Sequence, residues 1–114
     1  MNPSEIMAVL QKKNNMLTQK NEEYIELSQK RAEAERNYKI AYAERMLTLK
    51  SDGTPVTIIR DAVSGNRGVA DLKFQYEVAA AIEKACLESM KDIREGIGSA
   101  RSILTWLREE LQSR

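Results

Sequence analysis

The residues best suited to chemistry lie in residues 51–68, between two long charged segments. There Arg60 and Arg67 accompany Thr54, Thr57, Ser64 and Asn66. Guanidinium groups grip planar anions through paired N–H donors, and the hydroxyl and amide groups add neutral hydrogen bonds. Two helix N-termini, expected near Thr54 and near Gly68, would contribute open backbone N–H groups and positive dipole ends. This set suits a phosphate, a nucleotide-like anion or an acidic patch on a protein. The plainer alternative has Thr54 and Asn66 capping helices while the arginines pair with Asp52, Asp61 and Asp71.

Elsewhere the chain offers little for catalysis. It has no histidine, so the usual general base and the usual zinc ligand are both missing. Cys86 is the single cysteine. It sits on an apolar stripe with no imidazole to activate it, which suits a buried small hydrophobe better than a nucleophile. Carboxylates alternate with Lys and Arg on faces expected to be solvated, and no nucleotide-binding glycine motif is present. We expect no enzyme, no metal and no cofactor. Trp106, beside Ile103 and Leu107 and flanked by Arg101 and Arg108, has the composition of an interface hot spot. Equally, it can widen the buried face of a last helix.

The elements that must position these groups are helices. Residues 4–50 form one segment, with Ser4 as a candidate N-cap and a possible break at Asn14 and Asn15. Leu17, Tyr24, Leu27, Ala34, Tyr38, Ala41, Arg45 and Leu49 recur in steps built from three and four, one buried stripe on a helix. Residues 69–112 repeat the pattern with Leu72, Tyr76, Ala79, Ile82, Cys86, Met90, Ile93, Ile97, Ala100, Leu104, Leu107 and Leu111. Asn66 or Gly68 can cap that helix, and Asp71 suits its first turn. Gly96 and Gly98 mark a kink or a close crossing. In the linker, Gly53 can stop the first helix. Val56-Thr57-Ile58-Ile59 alone would suggest a strand, yet Thr54, Pro55 and Gly65 frame a short helix over residues 55–64.

The expected fold is all-α: one domain over residues 1–114, an antiparallel hairpin of two long amphipathic helices joined by a linker with a short helix. Two such helices, each almost 70 Å long at 1.5 Å per residue, cannot hide both stripes from water. Self-association into a homodimer or larger bundle is the natural remedy. Leu72, Tyr76, Ile82, Met90, Ile93, Ile97, Leu104, Trp106 and Leu107 are the expected interface.

Charge narrows the partners. Residues 1–50 carry nine basic against seven acidic groups, residues 69–114 seven against eight, and the whole chain is +1. That near-neutral balance offers no strongly basic stripe and disfavours duplex DNA. No stretch reaches the roughly 20 apolar residues that span a bilayer. The lone cysteine and the absence of a signal-like N-terminus point to the cytoplasm.

The runs Asn-Glu-Glu-Tyr (21–24), Ala-Glu-Arg-Asn-Tyr-Lys (34–39) and Gly-Thr-Pro-Val-Thr (53–57), with the long helix that follows, resemble small early-region proteins of phages and prophages of Gram-positive bacteria. The resemblance covers most of the chain and transfers no functional residue. It implies inhibition of a host defence protein, modification of host machinery or assistance in recombination. The leading expectation is a non-catalytic inhibitor or adaptor acting on a host protein. The alternatives are an oligomer that sequesters an anionic nucleotide signal through its linkers, and an accessory recombination protein that binds single-stranded nucleic acid.

Overall fold

In the computed structural model, residues 1–113 are described. They form three helices, α1 (Pro3–Ser51), α2 (Val56–Ser64) and α3 (Arg67–Gln112). The fold is all-α, with two long helices joined through a short one.

Each boundary has a local cause. Asn2, not Ser4, caps α1: its side-chain oxygen accepts the Glu5 N–H at 2.9 Å, while the Glu5 carboxylate accepts the Asn2 N–H at 3.3 Å. This reciprocal pair satisfies two donors that a helix start leaves open, and Pro3 fits the first turn because its missing N–H costs nothing there. No break occurs at Asn14 and Asn15. Asn15 instead accepts a hydrogen bond from Gln11 one turn earlier, which keeps its side chain from competing with the helix. At the other end Gly53 adopts φ +79. Its N–H reaches the Lys50 carbonyl at 3.1 Å, and the Thr54 N–H reaches Leu49 at 3.0 Å. The expected glycine stop is a Schellman turn.

The short helix is present, but Thr54 does not cap it. Pro55 occupies the cap position with no side-chain hydrogen bond, and Val56 begins the helix. Thr54 is held by the preceding turn, which leaves its hydroxyl one residue out of register. Asn66 does cap α3, accepting the Val69 N–H at 3.2 Å. The helix thus starts at Arg67, which takes Arg67 and Gly68 out of the linker and puts Asp71 beyond the first turn.

Contacts divide the chain into two compact units, one formed by residues 1–25 with residues from 84 onward, the other by residues 26–83. In the first, the start of α1 packs antiparallel against the end of α3. Ile6, Ala100 and Leu104 form a buried cluster flanked by Leu10 and Leu107. The Lys13 side chain lies over Gly96, where an added Cβ would meet its Nζ at 3.0 Å. α3 continues unbroken through Gly96. Buried Cys86 donates its thiol to the Lys20 carbonyl at 3.7 Å.

In the second unit the remaining halves of α1 and α3 also pack antiparallel, with α2 against them. Ile59 and Val63, one turn apart on α2, are buried together with Val69 of α3. Tyr38 and Tyr76 stack across the helices with ring centroids 6.1 Å apart.

Two stripe positions differ from expectation: Leu111, near the end of α3, is 58% exposed, and Ile82 is the other. Ile82 is 48% exposed, and Glu83 takes the inward place. Its carboxylate accepts the Arg31 Nε–H at 3.2 Å to both oxygens. From Ala79 to Cys86 the helix can step by three then four, or by four then three. The arginine on the facing helix selects the second.

Candidate functional site

The linker residues divide between two helices. Thr57, Arg60 and Ser64 are exposed and recur at helical spacing, so α2 gathers them on one face, flanking that of Ile59 and Val63. Thr54 is half-buried in the turn before α2. Asn66 is spent on its cap, and Arg67 is an exposed first residue of α3. The expected six-residue set thus becomes an α2 trio and a separate α3 start. Among the described residues neither Arg60 nor Arg67 has an ion-pair partner.

Beside the α3 start is a cleft of about 350 Å³, lined by Glu44, Arg45, Thr48, Asn66, Gly68 and Leu72 among others. Arg45 was legible in the sequence only as a member of the apolar stripe. Its Nε is buried without a protein hydrogen-bond partner. An atom that sealed cannot meet a ligand entering the cleft, and the Glu44 carboxylate at the rim opposes an anion. Arg60 does not line the cleft. Arg45 is half-buried, its side chain lining the cleft and its Nε sealed in the helix seam.

Four other charges in the second unit, Arg31, Glu35, Lys39 and Glu83, form an internal network. Arg31 bridges Glu83 and Glu35, the latter at 2.9 Å, and Lys39 reaches Glu35 at 2.8 Å. The hydrogen bond from Lys39, followed by that from Arg31, holds the Glu35 carboxyl below its ordinary range. Glu83, with Glu35 second, raises Arg31 further. This arrangement fixes register between helices. It holds no group positioned as an acid or base toward a ligand. Among the described residues no cluster of His, Cys, Asp and Glu has metal-binding geometry.

Of the expected interface, Leu72, Tyr76, Met90, Ile93, Ile97, Leu104 and Leu107 are buried or half-buried within the units, covered by α1 itself. Ile82 and Trp106, the latter 58% exposed, stand outside, as does Leu111. The structure adds what sequence reasoning missed: large apolar side chains left open on both long helices of the second unit. The helical register places Ile40 and Leu47 on the outer back of α1, Phe74 and Val78 on the outer back of α3, and Ile82 on the flank of α3. All five are exposed. The signal available in the sequence was a second apolar stripe on each helix, offset from the first.

No family model, curated protein or solved structure matches this chain. Among the described residues no helix is long and apolar enough to cross a membrane.

Proposed function

We propose that the protein is a non-catalytic binding protein, an inhibitor or adaptor that holds a host protein, and that it uses the open apolar side chains of Ile40, Leu47, Val78 and Ile82. The carrying observation is their exposure: with Phe74 they are five large apolar side chains of one unit, each at least 40% exposed. Apolar side chains left open in such number mark interaction sites. The same side chains would drive self-association when the host partner is absent.

The test is sedimentation velocity at micromolar concentration, joined to co-purification from host extract. The wild-type chain is expected as a dimer or larger species. I40D/I82D is expected to become monomeric with its helicity intact and to lose a host protein that wild type and R60E/R67E both retain. A wild-type chain that stays monomeric at 100 µM and retains no host protein sinks the proposal. Loss of the host protein with R60E/R67E but not with I40D/I82D moves the site to the linker. A large thermal shift with a cyclic or ADP-ribose-type nucleotide would instead favour sequestration of a nucleotide signal.

A further inference from the structure

The near-neutral net charge conceals a segregation that the first unit makes visible. In residues 84–113 the only basic groups are Lys84, Lys91, Arg94, Arg101 and Arg108. They fall on one edge of α3, at positions separated by steps of three and seven. The five carboxylates of the same stretch, Glu88, Asp92, Glu95, Glu109 and Glu110, all fall elsewhere on the helix. Val9 of α1 lines a cleft with Gly96, Ser99 and Ile103, which fixes one side of the helix pair. The basic edge borders the opposite side. There α1 presents Gln11, Asn14, Thr18 and Asn21, all exposed and uncharged, between the exposed apolar Met7 and Ile25 at the two ends of the row. No carboxylate on either helix edge opposes the cations. Glu88, on the outward face, reaches only Lys91, at 3.4 Å. Among the described residues Lys84, Arg94, Arg101 and Arg108 make no ion pair.

We infer that this edge binds the phosphate backbone of duplex nucleic acid without reading its sequence. Arg94, Arg101 and Arg108 repeat every seven residues, about 10.5 Å along a helix. Lys84 to Arg108 spans about 36 Å, the length of roughly ten base pairs at 3.4 Å each. Asn, Gln and Thr beside a cationic row are the side chains that supplement Arg and Lys at phosphate and sugar oxygens. No aromatic side chain lies on this edge, so the stacking platform of a single-strand binder is missing. The edge of α3 also lacks the apolar centre that a protein interface requires, its one large apolar side chain being half-buried Leu87. These residues are distinct from the open apolar side chains of the second unit, and either assignment can fail alone.

The experiment is fluorescence anisotropy of the full chain with a labelled 20-base-pair duplex of arbitrary sequence, across a salt series. With five phosphate contacts, log K should fall against log salt with a slope near −4.5. R94Q/R101Q/R108Q should reduce the slope by about 2.7 and weaken binding at 0.1 M salt by at least ~100-fold. Its far-ultraviolet spectrum should stay that of wild type, and K30Q/R36Q should bind like wild type. Three results would overturn the inference. One is no anisotropy change at 50 mM salt with protein up to 100 µM. Another is unchanged binding by the folded triple variant. The third is tighter binding to a single strand, or equal competition by polyglutamate, which would assign the edge to another class of partner.

Discussion

Ile58 and Ile59 are the same residue at adjacent positions of α2, yet one is 52% exposed and the other 4%. Replacing each by Ala separates burial from every other effect, because both changes alter helix propensity equally, by a few tenths of a kcal/mol. At Ile59 three buried carbons are removed. At about 0.8 kcal/mol per carbon the transfer loss is about 2.4 kcal/mol. The residual cavity brings the cost to roughly 3 kcal/mol, within the range measured for buried Ile→Ala. At Ile58 the change should lie within about 0.5 kcal/mol of zero. Urea unfolding followed by far-ultraviolet circular dichroism reads the difference as separated midpoints with equal slopes. In a thermal scan the two variants should differ by about 10 °C, at roughly 4 °C per kcal/mol. Coincident midpoints would refute the placement of α2. Val63→Ala, one turn further along the same face, should cost about 2 kcal/mol, whereas a strand over residues 56–59 would leave Val63 unaffected.

Other outcomes follow from the helix ends and the charge network. Asn66→Ala should cost about 1 kcal/mol in the same assay, because it strips the cap from the Val69 N–H, while Thr54→Ala, which removes no cap, should be close to neutral. Gly53→Ala forces a Cβ into the left-handed region and should cost about 1–2 kcal/mol, again read as a urea midpoint. Glu35 titrates below its ordinary 4.5, with Lys39 and then Arg31 as the causes. A depressed carboxyl stabilises the fold above its unfolded pKa, and that contribution disappears as pH falls through the folded value. Stability measured between pH 5 and 3 should therefore fall less in Glu35→Gln than in wild type, with the difference shrinking at high salt. Cys86, buried and bonded to the Lys20 carbonyl, should react with a thiol reagent only on unfolding.

The sequence by itself determined the secondary structure: two long helices from sustained three-and-four spacing, a glycine stop at Gly53, a short helix framed by Pro55 and Gly65. These are local matters, in which steric limits and hydrogen bonding act within a few residues. The capping residues were misplaced by one or two positions at Asn2 and Pro55, because several neighbouring polar residues can cap and only backbone geometry chooses. Glu83 in place of Ile82 could not be read, since apolarity argues for Ile82 and the deciding partner, Arg31, is 52 residues away. The candidate surfaces were hidden for the same reason. Ile40, Leu47, Phe74 and Val78 look like ordinary helix residues until packing spends the other stripe. The five cations from Lys84 to Arg108 sum to nothing against their neighbouring carboxylates. Only when α1 covers one face of α3 do the remaining edges acquire distinct surroundings, as the cationic row beside neutral Gln11, Asn14 and Thr18 shows. Which side of a helix meets its neighbour is a long-range decision, and it separates groups that the linear chain averages together.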